Sequence, residues 1–281
     1  MINIKNAIKD ASIELKKNNI ASYLLDSEIL MAEVLKKDRK YILLNFNEKI
    51  GLKEYQKFKN LINLRSKRKP IAYLIGKKSF CKSDFKVSND ILIPRPDTEI
   101  IIEEVLKLSK NKSKSNILDI GVGSGCILLS ILSEKKEFYG TGIDKSQKCL
   151  NISKFNAKTL KVLDRVKFFK SDIDNFNNGK YDLIISNPPY IKKTDLKYLE
   201  KDVVNFEPKL ALDGGLDGLS EIRKVIKKSS ELIKINGKLV LEVGFDQKYK
   251  VKKLLKEEGF YINRVLKDLS NNDRCIISTK I

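Results

Sequence analysis

The 281-residue chain contains no histidine. That absence excludes Ser-His-Asp and Cys-His nucleophile systems, two-histidine zinc proteases and imidazole general bases. Any catalysis must use carboxylates, amides, hydroxyls, backbone groups or a reactive cofactor. Cysteine is also scarce. Cys81, Cys126, Cys149 and Cys275 lie far apart with no Cys-x-x-Cys pair, which argues against structural zinc and against a disulfide scaffold. No metal site is expected, and buried thiols suit a reducing cytoplasm. Long apolar runs are missing as well: the longest cluster, 126–132, is interrupted by Ser130, whereas a bilayer span needs about 20 residues. The opening stretch MINIKNAIKDASIELKK is charged every few positions and has no secretory apolar segment. The expectation is a cytoplasmic protein with no membrane partner.

Arginine is under-used too. Of 56 basic residues eight are Arg and 48 are Lys, and the net charge is +20. Such a charge fits weak association with a polyanion or the ribosome. It also fits composition drift, because Lys, Ile and Asn share A/T-rich codons. Arginine is the better bidentate reader of phosphate and base edges, so its scarcity favours drift. What is present is a foldable mixture, 42% hydrophobic and 33% charged, with material for a core and no signature of disorder.

Residues 1–70 read as a small helical domain. Ile4, Ala7, Ile8, Ala11 and Leu15 recur at helical spacing, as do Leu52, Tyr55, Phe58, Leu61 and Ile62. The last of these helices should stop before Pro70. Residues 71–95 read as a β-hairpin linker, with IAYLIGKKSF and DFKVSNDILI as its strands. A helix should then begin at Asp97 or Thr98. In residues 96–281 strand and helix patterns alternate: NILDI, EFYGTGID, VKFFKSD, YDLIISN and GKLVLEVG, then YINRVLKD and RCIISTKI across a short turn. This predicts an α/β fold, a seven-stranded, mainly parallel, Rossmann-like sheet covered on both faces, with the last two strands antiparallel at its edge.

The first strand of that sheet runs into Asp119-Ile120-Gly121-Val122-Gly123-Ser124-Gly125, followed by an apolar helix. Ligands of open parallel sheets bind at the carboxyl ends of such strands, and glycine lets a ligand approach the backbone. The second strand ends at Asp144, placed to accept from two ribose hydroxyls. A dinucleotide site needs G-x-G-x-x-G, with its third glycine where this chain has Cys126. The G-x-G-x-G spacing with a preceding acid resembles the loop of S-adenosylmethionine-dependent methyltransferases; a plain strand-to-helix turn is the alternative.

Only six prolines occur, two of them in Asn187-Pro188-Pro189-Tyr190 at the exit of the fourth strand. Each proline fixes its own φ and extends the residue before it. Asn187 and Pro188 are thus held extended, and the Asn187 side-chain oxygen and the Pro188 carbonyl are both acceptors. Two acceptors grip both hydrogens of one planar NH₂ group, as methylation of an amide or exocyclic amino nitrogen requires, while Tyr190 packs on the substrate plane. By itself the tetrad also serves as a strand-ending turn. Its position after a glycine loop, an acidic strand end and a fourth strand favours chemistry.

Taken together the chain resembles the HemK/PrmC family of release factor glutamine methyltransferases. RKPIAYLIGKKSF, ILIPRPDTE, LDIGVGSG, ISNPPYI, NFEPKLALDGGLDGL, LEVG and Asn272-Asp273-Arg274 follow in the family's order along nearly the whole chain. The resemblance implies a class I methyltransferase domain using S-adenosyl-L-methionine, and class I peptide chain release factors as protein substrate, docked with help from the helical N-terminal domain. It implies that Asp119 and Gly121, Val122, Gly123, Ser124 and Gly125 cradle the methionine part of the cofactor. Asp144 would hold the ribose, and Asp172 and Ile173 would lie near the adenine, with Ile173 where the family often has an aromatic residue. Asn187, Pro188, Pro189 and Tyr190 would hold the glutamine amide, with Asn187 also beside the cofactor, and Arg95 to Glu99 would flank the substrate channel. A helix N-terminus explains Asp97 and Glu99 equally well. The rival reading is a nucleic-acid adenine N6-methyltransferase, which grips an exocyclic amine with a similar tetrad.

Overall fold

The computed structural model describes residues 2–281. The chain divides into two compact units, one formed by residues through Lys77 together with Glu200–Phe206, the other by Lys78–Leu199 and Glu207–Ile281.

The first unit is helical: α1 (Ile4–Lys17), α2 (Tyr23–Leu35), α3 (Arg39–Leu44), α4 (Leu52–Ser66) and α5 (Ile71–Ile75). Asn3 caps α1 by accepting from the Asn6 N–H, and two lysines end the helix, each favourable for the exposed backbone groups at that end. Ile4, Ala7, Ile8, Ala11 and Leu15 turn inward against Leu30, Met31, Phe58 and Ile62, as the helical spacing predicts. The expected strand over IAYLI is corrected: residues 71–75 form α5. Its branched and aromatic residues read as β, but Pro70 starts a helical turn, Ala72 and Tyr73 are buried, and Gly76 at φ +73° ends it. Five residues are too few to display a helical period.

The second unit, from Lys78, opens on the hairpin β1 (Lys77–Phe80) and β2 (Ser83–Lys86), and both strands are shorter than expected: 71–75 is helical and 87–93 of the expected second strand lies outside β2. A 3₁₀ turn at Pro96–Thr98 leads into α6 (Glu99–Leu108). Then come β3 (Ser115–Ile120), α7 (Cys126–Glu134), β4 (Phe138–Asp144), α8 (Gln147–Thr159), β5 (Val166–Lys170) and β6 (Tyr181–Ser186). After a long connection that contains α9 (Lys201–Phe206) follow α10 (Ser220–Leu232), β7 (Ile233–Glu242), α11 (Lys248–Glu257), β8 (Phe260–Lys267) and β9 (Asp273–Lys280).

The seven-stranded sheet has the order β5-β4-β3-β6-β7-β9-β8. Pairings from β5 through β7 are parallel, and β9 lies antiparallel between β7 and β8. Alternate strand residues serve opposite faces. Ile117, Leu183, Ile185, Val240 and Ile277 pack under α6, α7 and α8. Leu118, Ile184, Leu239, Leu241 and Ile276 pack under α10 and α11. Burial on both faces explains why these strands are nearly continuous apolar runs. Among the described residues no helix is long and apolar enough to cross a membrane.

Candidate active site

Five parallel strands, β3 to β7, end on one edge of the sheet, and β3 is the strand flanked on both sides by later ones. Residues that follow these strands share the crevice where doubly wound sheets bind ligands. The glycine loop after β3 ties its N–H groups inward. Gly121 and Val122 donate to the Ile143 carbonyl at 2.9 and 3.0 Å, and Gly125 donates to the Val122 carbonyl at 2.7 Å. Gly123 donates to Asp144 Oδ2 at 3.0 Å and Cys126 to Ser124 Oγ at 3.3 Å. A pyrophosphate seat needs such groups free, so the loop argues against a dinucleotide. Gly121 sits at φ +78° with nothing within 4 Å of where a Cβ would stand, leaving open space above the backbone. At Gly125 (φ +81°) a Cβ would meet Leu129 Cδ1 at 2.7 Å, so glycine there lets α7 pack. From α8, Ser153 Oγ donates to the Gly123 carbonyl at 2.8 Å and Asn156 Nδ2 to the Ser124 carbonyl at 2.8 Å. Asn156 Oδ1 also accepts from the Lys86 N–H of β2. These two loop supports carry no sequence signature, because they sit as single polar residues in a helix.

The acidic strand ends differ in surroundings. Asp119 is fully buried, its Oδ2 has no hydrogen-bond partner among the described residues, and burial pushes its carboxyl up to about 7. Asp144 Oδ1 accepts from the Ser146 N–H at 2.8 Å and Oδ2 from Gly123, with the Cys149 thiol a further neighbour of the carboxylate. Burial raises its pKa above the ordinary carboxylate range. Asp172 is more open; burial works against its charge, yet Lys145 Nζ at 3.2 Å and the Asp174 N–H hold its pKa below the usual range. Lys145, not singled out from sequence, also pairs with Glu221 at 3.4 Å and so joins Asp172 to a residue of α10. Ile173 is 4% exposed and packs with Leu118, Ile120 and Ile143, so its side chain is mostly committed to the core.

At the exit of β6 the tetrad is tied to three other segments. Asn187 Nδ2 donates to Thr98 Oγ1 at 3.3 Å, and Thr98 Oγ1 donates to Glu242 Oε2 at 2.8 Å. Tyr190 OH donates to Glu242 Oε1 at 3.3 Å and accepts from Arg274 Nη1 at 3.2 Å. Asn187 Oδ1 and the Pro188 carbonyl make no hydrogen bond to other described residues. Burial lifts the Glu242 carboxyl to about 7, partly offset by Thr98 and Arg274, and burial beside Glu242 lifts the Tyr190 phenol well above its ordinary value. The glycine-rich stretch after Pro208 explains itself here. A Cβ on Gly214 would stand 2.9 Å from Tyr190 Cα, and one on Gly218 2.6 Å from the Tyr190 carbonyl oxygen. Gln247 Nε2 completes the clamp by donating to the Tyr190 and Gly218 carbonyls. Of the Arg95–Glu99 segment, Arg95 Nη2 donates to the buried Glu207 Oε1 at 2.5 Å, while Glu99 Oε1 accepts from the Cys81 N–H of the hairpin turn. Thr98, between them, is the member that reaches Asn187.

With a loop that keeps its N–H groups to itself and a reversed strand beside β7, the molecule falls into the class I S-adenosylmethionine-dependent methyltransferases. A methyltransferase from Pyrococcus furiosus shares the fold at a TM-score of 0.53 and 17% identity, over 79% of this chain and 97% of that one. Residues 97–267 match the methyltransferase small domain and residues 6–76 the PrmC N-terminal domain. The chain is 36% identical to the release factor glutamine methyltransferase of Clostridium acetobutylicum, over 99% of this chain and 98% of that protein. It is 39% identical to that of Clostridium botulinum, over 97% and 99% respectively. The chain belongs to the release factor glutamine methyltransferase family.

Proposed function

We propose that this enzyme transfers a methyl group from S-adenosyl-L-methionine to the side-chain amide nitrogen of the glutamine in the Gly-Gly-Gln loop of class I peptide chain release factors. The observation that carries the reading is the direction of the Asn187 amide. Its NH₂ end is tied back to Thr98, so its oxygen is the end left to a substrate. The amide nitrogen of glutamine attacks poorly because its lone pair is delocalised into the carbonyl. Asn187 Oδ1 and the Pro188 carbonyl accept its two N–H bonds, orient the nitrogen and make it more electron-rich. Pro188 and Pro189 hold both acceptors rigid, which suits a displacement needing in-line approach at about 3–3.5 Å. Tyr190, fixed by Glu242, Arg274 and Gln247, packs on the plane of the amide.

When bound, the cofactor would supply an electrophilic sulfonium methyl whose leaving group is a neutral thioether, so no acid is required; the methylated amide nitrogen sheds one of its two protons to solvent, and the lack of histidine is no handicap. The residues fit it. Open space over Gly121 and the unpartnered oxygen of Asp119 suit the methionine part, held by Gly121, Val122, Gly123, Ser124 and Gly125. Asp144, at the end of β4, offers its carboxylate to the ribose hydroxyls. Asp172 and the edge of Ile173 border the adenine. Arg95 and Glu99 line the approach to the tetrad, and the helical unit docks the release factor. A cytoplasmic location and weak ribosome association are part of the same reading.

The test is incubation of the enzyme with a purified class I release factor and saturating cofactor, followed by peptide mass spectrometry. One added methyl on the Gly-Gly-Gln glutamine is expected, and no incorporation into adenine of DNA or RNA under the same conditions. An unmodified glutamine, or methylated adenine instead, would overturn the assignment.

A further inference from the structure

We propose that Glu242, acting through Thr98, is a positioning residue that decides which end of the Asn187 side chain faces the substrate amide. Asn187 carries an acceptor at one end of its amide and donors at the other, and the two ends have almost the same shape. Only the acceptor end binds the N–H of a glutamine amide. Packing does not distinguish the ends, so a hydrogen-bond partner must.

Thr98 provides that partner. It is 2% exposed, and its hydroxyl has one hydrogen to give. That hydrogen goes to Glu242 Oε2 at 2.8 Å, so toward Asn187 the Thr98 oxygen offers lone pairs alone, and Asn187 answers with Nδ2 at 3.3 Å. In its ionised form, which accepts at both oxygens, Glu242 thus sets the direction of the whole chain, from Asn187 through Thr98 to Glu242. Its other oxygen accepts from Tyr190 OH at 3.3 Å, and Arg274 occupies the far side of that hydroxyl. Glu242 is the acceptor for two hydroxyls that touch the tetrad or belong to it.

An amide in place of the carboxylate breaks this logic. Glutamine at position 242 has one acceptor end and one donor end, so it satisfies one hydroxyl and confronts the other with a donor. Facing Thr98 with its NH₂ group, it would free the Thr98 hydrogen for Asn187 Oδ1 and turn the Asn187 donors outward. Facing Tyr190 with that group, it would displace the Tyr190 hydrogen bond. Function also accounts for the cost of the arrangement. Glu242 is 2% exposed and, among the described residues, has no ion pair within 4 Å, because Arg274 is paired with Asp268 instead. A buried carboxyl whose side-chain hydrogen bonds come from hydroxyls, with no direct ion pair, is destabilising, and groups of that kind gather at working sites.

The inference rests on the proposed role of Asn187, and the test separates the two. Turnover of a purified class I release factor is measured for wild type, Thr98→Val, Thr98→Ser, Glu242→Gln and Asn187→Ala, with cofactor affinity from calorimetry and Tm for each. Thr98→Val and Glu242→Gln are expected to lose about tenfold or more in kcat, the scale of one lost polar contact to the reacting group, with cofactor Kd unchanged. Thr98→Ser, which keeps the hydroxyl, is expected to restore kcat. Wild-type kcat in Thr98→Val, or a Thr98→Ser as slow as Thr98→Val, would overturn the positioning role. An active Asn187→Ala would instead overturn the reading of the tetrad. Should Glu242→Gln fail to fold, the Thr98 pair decides alone, since it differs by little more than one hydroxyl.

Discussion

Two asparagine side chains, Asn156 buried and Asn187 half-buried, are satisfied to different degrees. Asn156 satisfies its amide completely, bonding Lys86 and the Ser124 carbonyl, whereas Asn187 uses its NH₂ group and leaves its oxygen to the crevice. Asn187→Ala should therefore reduce kcat by about 10²–10³-fold, the range for deleting a preorganised polar contact to the reacting centre, while cofactor Kd measured by calorimetry stays put. Asp119 is the costly residue. Burial lifts its carboxyl from the ordinary 3.8 to about 7. The folded chain then keeps a proton that the unfolded chain releases between about pH 4 and pH 7, so stability falls as pH rises through that window. The loss is on the order of 4 kcal/mol at most. Asp119→Asn removes the titration; between pH 5 and pH 8 the wild-type Tm should drop markedly more than that of the variant. Equal drops would show an ordinary, solvated carboxylate.

Among the elements, the connection after β6 shows why a motif and its distant support must be considered together. Tyr190 lies against Gly214 and Gly218 so closely that a methyl group on either would enter its backbone, and next to it the Ile191 N–H donates to the Leu212 carbonyl while the Ile191 carbonyl accepts from the Gly214 N–H. Gly214→Ala should push the Tyr190 backbone away. We expect a loss of about 1–3 kcal/mol in stability, the usual cost of overpacking, seen by urea unfolding, and a fall in kcat with cofactor Kd retained. Full activity in a stable Gly214→Ala would mean that the tetrad tolerates a shift. The later part of the connection thus supports the tetrad that opens it, although Gly214 and Gly218 contribute no side chain.

At the scale of the molecule, the helical unit captures a piece of chain that follows the tetrad by only about ten residues. Arg65, almost buried, donates Nε to Asp26 Oδ2 and Nη1 to Asp202 Oδ2, each at 2.6 Å, and Arg68 adds a longer contact to Asp202. Asp202 lies on α9, which groups with α1–α5. Arg65→Met would leave two carboxylates facing an apolar side chain, and breaking a buried pair in this way costs about 3–5 kcal/mol. Denaturant unfolding should register that loss, and hydrogen exchange should show α9 losing protection with the helices. Unchanged exchange over 201–206 would mean that other contacts hold α9. The +20 charge acts on this scale as well, through solubility and salt-dependent association, and leaves the fold to the apolar pattern.

The sequence by itself determined the helical and strand periods, and with them the parallel sheet, its reversed final strand and the two motifs at the strand ends. Those features are local: side-chain alternation, glycine spacing and proline stiffness act within a few residues. It did not disclose that residues 71–75 form a helix, because one turn has no period to read. Nor did it disclose Thr98, Glu242 and Arg274 as partners of the tetrad, or Ser153 and Asn156 as props of the loop. Each is an isolated polar residue whose meaning depends on which groups lie within hydrogen-bond distance of it. Only the tertiary structure brings positions 98, 187 and 242 together, because strand order sets which chain ends meet. Hydrogen-bond direction, which ties the NH₂ end of Asn187 to Thr98, exists only once they have met.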